Sequence, residues 1–159
     1  MSILVVGKPV GDFKMALTGD KSIKLSDLKG QNVVLYFYPK DATPGCTLEG
    51  QDFRNSYQKF KRQNTVILGV SRDSLASHEK FRDKQKFQFD LVSDADEKLC
   101  KKFDVIKEKN MYGKKVMGIE RSTFIIDGQG VLRAEFRKVK VEGHVDAVLD
   151  EVKKLKSNQ

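Results

Sequence analysis

The chain has 159 residues, of which 39% are hydrophobic and 33% charged, with 30 basic against 22 acidic side chains, a net charge of +8 and two cysteines. That length suits one domain, burying about 68–70% of its unfolded surface without a disulfide staple, and the absence of biased runs or internal repeats excludes a low-complexity or solenoid protein. The apolar patch from Ile3 to Val6 is too short for a signal-peptide core or a membrane span, so two cysteines without a secretory signal point to a reducing compartment, the cytoplasm.

Phe13, Met15 and Leu17 alternate with Lys14, Ala16 and Thr18, and the alternation resumes through Ile23 and Leu25 after Gly19-Asp20, which predicts an N-terminal hairpin. Ser26 to Lys29 reads as one helical turn stopped by Gly30. The β-branched and aromatic run Val33 to Tyr38 predicts a buried strand, ended by Pro39 and followed by a polar loop, Lys40 to Gly45. Phe53, Tyr57 and Phe60 recur at spacings of four and three, the apolar stripe of a helix from Cys46 to about Gln63. Thr65 to Val70 suits an inner strand, and strand, helix, strand implies a parallel crossover.

A helix through about Lys86 follows Ser71 to Ser74, with Leu75, His78 and Phe81 on one side, and Phe87 to Val92 reads as a strand. Asp94 and Glu97 make a capping-box-like start for a helix carrying Leu99, Cys100 and Phe103. Val105 to Gly118, polar and interrupted by Gly113, reads as a long loop. Arg121 to Ile126 and Val131 to Phe136 form a hairpin across Asp127-Gly128-Gln129-Gly130. A last helix from about His144 has Val145, Val148, Leu149, Val152 and Leu155 on its apolar face. The expected fold class is α/β: a central mixed sheet flanked by helices on both faces, with an N-terminal hairpin, in one domain spanning 1–159.

Cys46 falls in the first turn of its helix, where unpaired N–H groups and the positive end of the dipole favour the thiolate, the nucleophilic form of sulfur. A dithiol exchange enzyme would place its second cysteine at 43 or 49, but those positions hold Thr43 and Glu49. Single-thiol chemistry remains, with the Thr43 hydroxyl in reach as donor or acceptor. Cys100, beside Leu99 and Phe103, reads as a buried helix residue. His78 and His144 do not make a metal-ligand pattern, and Gly128-Gln129-Gly130 precedes a strand, so it is a turn and not a phosphate loop. The lysines and arginines are dispersed, mostly among acidic neighbours and without a recognised stacking motif, so the charge reads as solvated surface.

The segment Tyr38 to Glu49, YPKDATPGCTLE, resembles the active-site segment of the peroxiredoxins, and most closely the peroxiredoxin Q or bacterioferritin comigratory protein subfamily. Leu25 to Gly30, Met117 to Phe124 and Lys138 to His144 resemble it too, so the likeness covers nearly the whole chain. It implies a thioredoxin-like fold and thiol-dependent reduction of hydrogen peroxide and organic hydroperoxides, through a sulfenic acid recycled by thioredoxin or another thiol. By position Cys46 resembles the peroxidatic cysteine, Thr43 the hydroxyl that holds the peroxide, Pro39 the lid over the sulfur and Arg121 the activating guanidinium; Glu49 is expected to orient Arg121. No metal, haem or flavin is implied, and no nucleic-acid or membrane partner; a monomer or weak homodimer is expected. Where many members carry a resolving cysteine five residues after the first, this chain has Gln51.

Overall fold

A computed structural model describes residues 4–157, and side chains as far as residue 155. Met1 to Ile3, including the first residue of the apolar patch, lie outside the described residues. The predicted N-terminal hairpin is β1 (Lys14–Leu17) and β2 (Lys21–Lys24), closed by a 3-10 turn at Leu25–Leu28. The buried strand is β3 (Asn32–Phe37), and β4 (Thr65–Ser71) pairs beside it in parallel from Asn32 opposite Thr65 to Phe37 opposite Val70. The single helix expected from Cys46 to Gln63 is two: α1 (Pro44–Asn55) and α2 (Tyr57–Arg62), separated at Ser56. Its apolar stripe survives the break, for Phe53 and Phe60 are both fully buried.

Next come α3 (Leu75–Gln85), β5 (Asp90–Ser93) and the short α4 (Lys98–Lys102). β5 starts later than the apolar run suggests because Phe87 and Phe89 pack as side chains under α1 and not as a paired strand, stacked on each other at 4.9 Å. The segment 105–118, expected as a loop, is instead a regular hairpin, β6 (Ile106–Met111) and β7 (Lys114–Ile119). Its two-residue turn, Tyr112-Gly113, has both residues at positive φ, the geometry whose twist matches that of the strands it joins. The hairpin pairs with itself alone, so most of its side chains face water and the alternation that marks a strand is missing. Met111, Tyr112, Val116 and Met117 are exposed there.

β8 (Ser122–Ile126) and β9 (Leu132–Phe136) form the predicted late hairpin, and α5 (His144–Ser157) closes the chain. The main sheet has seven strands in the order β2-β1-β5-β4-β3-β8-β9, with β3–β4–β5 parallel and the rest antiparallel, which bears out the expected mixed sheet. Alternation along β3 divides the interior. Val34, Tyr36 and Tyr38 face a core built with α1, α2, α3 and α5, while Val33, Leu35 and Phe37 face a second core with α4 and the N-terminal hairpin. Helices therefore cover both faces. Cys46 belongs to the first core and Cys100 to the second, with the sheet between them.

Candidate active site

The site lies where β3 ends and α1 begins. β3 delivers Tyr38, buried and still bonded to the Val70 carbonyl, and then half-buried Pro39. The loop that follows is fastened from behind by buried polar groups. The Asp41 carboxylate accepts from the Tyr38 hydroxyl at 2.6 Å and the Ser77 hydroxyl at 2.7 Å, and lies 2.7 Å from His78 Nδ1. His78 Nε2 meets the Val92 carbonyl at 2.8 Å, and the Asp41 amide donates to Asp73. Asp41, Asp73 and His78 bring ligand-type atoms within 4.8 Å of one another, and these bonds account for all three side chains. Those contacts tie the loop to α3.

Thr43 is the N-cap of α1, with extended backbone, and Pro44 takes the first helical position, where its missing N–H costs nothing. The Thr43 hydroxyl does not cap the helix: it donates to the Lys40 carbonyl at 2.7 Å. Its only proton is thereby used, and its oxygen is left as an acceptor. Cys46 is the third helical residue and only 2% exposed. The amides of Gly45 and Cys46 have no partner four residues back in the helix, so they present donors at the sulfur's end of α1.

Arg121 immediately precedes β8, the strand paired beside β3, and completes the site. Its Nη2 lies 3.4 Å from Cys46 Sγ and its Nη1 donates to Glu49 Oε1 at 2.6 Å. Gly45 allows this approach, because a Cβ there would stand 3.2 Å from Nη2. Glu49 is completely buried, and its second oxygen, Oε2, has no hydrogen-bond partner. Burial therefore outweighs the attraction of Arg121 and pushes the Glu49 carboxyl up to about 7. His144 Nε2 lies 3.9 Å from Oε2, beyond hydrogen-bond distance. His144 Nε2 is 2.7 Å from the Thr123 hydroxyl, and burial with the nearby Arg121 charge brings its pKa down to about 4. Near neutrality that ring carries no charge and cannot neutralise Glu49.

The fold thus gathers Cys46, Thr43, Glu49 and Arg121 at one end of β3 and α1, and sets Pro39 at the strand exit leading to them. Cys100 is not gathered with them. The neighbours of the site that sequence reasoning does not assign are Thr123 and His144, both in segments matched by resemblance.

Comparison with known proteins identifies the family. The model of the AhpC/TSA family matches residues 6–135. The chain belongs to the AhpC/TSA family of peroxiredoxins. It is 55% identical to the Bcp peroxiredoxin of Xanthomonas campestris over 142 residues, 89% of either chain, and 49% identical to that of Bacillus subtilis, covering 93% of this chain and 94% of the other. Among solved structures, peroxiredoxin Q of Xylella fastidiosa superposes with a TM-score of 0.90 at 46% identity, over 99% of both chains. A trapped intermediate/ligand complex of the X. campestris bacterioferritin comigratory protein, concerned with its alkyl peroxide reduction activity, gives 0.88 at 51% identity, over 96% of this chain and 98% of the other. The expected thioredoxin-like α/β fold is borne out, and this peroxiredoxin is a thiol-dependent peroxidase, an oxidoreductase.

Proposed function

We propose that Cys46 is the peroxidatic nucleophile and that the peroxiredoxin reduces hydrogen peroxide and organic hydroperoxides by a one-cysteine cycle. The observation that carries this reading is the Arg121 guanidinium 3.4 Å from the Cys46 sulfur. The thiolate attacks the terminal peroxide oxygen; an S–O bond forms, the O–O bond breaks, and the electron pair leaves on the other oxygen, which takes up a proton to depart as water or an alcohol. Negative charge grows on that oxygen, so donors already fixed at the site lower the barrier. Arg121, held by Glu49, and the first amides of α1 are those donors. Thr43, its proton committed to Lys40, accepts the hydrogen of the incoming hydroperoxide. Pro39 shields the sulfur at the strand exit. The alkyl peroxide reduction activity of the similar X. campestris protein supports the inclusion of organic hydroperoxides.

The product is a sulfenic acid on Cys46, which an external thiol, of thioredoxin or another reductant, converts to a mixed disulfide and water; a second thiol then releases Cys46. Two placements support an external reductant. Gln51 at the usual resolving position is hydrogen-bonded to Gln85 at 2.8 Å, and Cys100 is packed in the core on the other side of the sheet. The whole chain, 1–159, acts as a single domain without metal, haem or flavin, in the cytoplasm, as a monomer or weak homodimer, with no nucleic-acid or membrane partner. Among the described residues no helix is long and apolar enough to cross a membrane. The test is peroxide consumption by Cys46→Ser: loss of activity in a folded protein is expected, and full activity would sink the reading.

A further inference from the structure

We propose that Lys109 is a positioning residue for the peroxidase reaction: it fastens the strand end that aims Arg121 at Cys46 and adds a second cation to the surroundings of the sulfur. The proposal rests on the reading of Cys46 as nucleophile. Along β6, half-buried Lys107 and Lys109 alternate with exposed Glu108 and Asn110, so one face of this strand turns toward the body of the protein. The Lys109 ammonium donates to the carbonyl of Ile119, a fully buried residue two positions before Arg121. Arg72 does the same two residues earlier: its Nη2 donates to the Met117 carbonyl at 3.3 Å while its Nη1 holds Glu97 at 3.0 Å. Alternate carbonyls of β7 are therefore gripped by cations from outside the strand. The Lys109 stem reaches its carbonyl by crossing Gly118, where a Cβ would stand 3.2 Å from its Cδ.

The company Lys109 keeps is otherwise unfavourable. The charged groups facing it are Arg121 and Arg72, of its own sign, with Cys46 and Glu120 opposing them. Burial first, then Arg121 and Arg72, push its pKa below the ordinary lysine value. A lysine on a largely exposed hairpin gains nothing by leaving water for two arginines, unless an anion is there to share. Arg72 has Glu97 and Arg121 has Glu49, so the anions left for the cluster are Glu120 and, ahead of it in its pull on Lys109, the Cys46 thiolate. A fixed cation there stabilises both the thiolate and the charge that builds up as the O–O bond breaks.

The experiment compares Lys109→Met, Lys109→Gln and Lys109→Arg with Cys46→Ser, by stopped-flow peroxide reduction and by the pH dependence of Cys46 alkylation read from its peptide. The neutral variants should be about five- to twenty-fold slower at neutral pH. Their alkylation profile should move to higher pH, and Lys109→Arg should keep most of the rate and an unmoved profile. A purely structural lysine would lower the melting temperature and leave the profile in place. An unmoved profile in the neutral variants, or an equal displacement in Lys109→Arg, overturns the proposal. The glutamine variant, which keeps a hydrogen-bond donor, covers the case in which methionine prevents folding. Peroxide consumption surviving in Cys46→Ser would instead overturn the reading of the nucleophile, whatever Lys109 does.

Discussion

Cys46 and Cys100 occupy the same place in their helices, third residue of α1 and third residue of α4, and both are buried, at 2% and 0% exposure. Their surroundings are opposite. Beside Cys46 stands a guanidinium at 3.4 Å. Beside Cys100 stands Asp94, whose carboxylate accepts the Cys100 amide at 2.7 Å and the Leu99 amide at 3.0 Å, so the anion occupies the helix start that a thiolate would need. Burial, the hydrogen bond to Asp94 and its charge drive the Cys100 thiol far above the ordinary range. A helix N-terminus is thus not enough to make a reactive cysteine. What decides is which charge the rest of the fold brings to that end: a cation from the start of β8 in one case, a carboxylate from the end of β5 in the other.

The largest effects should come from breaking this asymmetry at its source. Cys46→Ser should consume peroxide at below about a thousandth of the wild-type rate, while Cys100→Ser, whose hydroxyl can still donate to Asp94, should stay within about two-fold. One equivalent of peroxide without reductant, followed by peptide mapping, checks the same contrast: oxygen should be gained on Cys46 alone. A peptide pair linked through both cysteines, together with lost turnover in Cys100→Ser, would remove the one-cysteine cycle. Next in size is Arg121→Met, expected to slow peroxide reduction by about a hundred-fold and to move the Cys46 alkylation profile to higher pH, since both the thiolate and the transition state lose donors. Unchanged stopped-flow rates would show that the guanidinium contributes through packing alone.

The contrast was partly legible before the structure. The helix start at Cys46 could be read because Pro44 and Gly45 punctuate it and Phe53 and Phe60 keep the period, and strands β3, β4 and β8 could be read because they are continuous apolar runs buried on both faces. Arg121 came from resemblance and not from periodicity, since a residue just before a strand leaves no local pattern that distinguishes a site arginine from a surface one. Asp94 and Glu97 were read as a capping-box-like helix start, but α4 begins only at Lys98 with Glu97 as its N-cap in a left-handed backbone, and it is that turn, announced by no spacing, that lets the Asp94 carboxylate reach the Leu99 and Cys100 amides. The β6–β7 hairpin was missed because periodicity reports burial, and that hairpin buries little. The orphaned oxygen of Glu49 was invisible for the opposite reason: in sequence a glutamate in the first turns of a helix is ordinary dipole complementarity.

A smaller effect tests how far Glu49 serves Arg121. Glu49→Gln keeps the shape and removes the anion, so Arg121 is held less firmly, and a rate lowered by about three- to ten-fold is expected in stopped-flow traces. The same variant should alter the pH dependence of stability. The folded pKa of Glu49 is raised from 4.5 to about 7, so the folded state binds this proton more tightly than the unfolded chain does. Its contribution is fully present below pH 4.5 and is lost as pH rises through about 7, to the extent of about 3 kcal/mol. Urea melts of the wild type should therefore weaken across that window relative to Glu49→Gln.

His144 should give the smallest change in rate, because it touches neither Cys46 nor, at hydrogen-bond distance, Glu49; His144→Asn is expected to turn over within about two-fold of wild type. Its effect belongs to stability and has the other sign. The folded pKa is depressed from 6.5 to about 4, so the unfolded chain binds the extra proton; the contribution is present above pH 6.5 and lost as pH falls through about 4. Between pH 4.5 and 6.5 the two neighbouring groups pull in opposite directions, Glu49 favouring acid and His144 favouring base, and their slopes largely cancel in the wild type. Removing either should uncover the other. His144→Asn loses the bond to Thr123, about 1 kcal/mol at every pH, and its stability should then fall steadily from pH 4.5 to 7, whereas Glu49→Gln should gain stability from pH 4 to 6.5. Parallel urea midpoints for both variants across this range would mean that the buried pair does not exchange protons with folding as its burial requires.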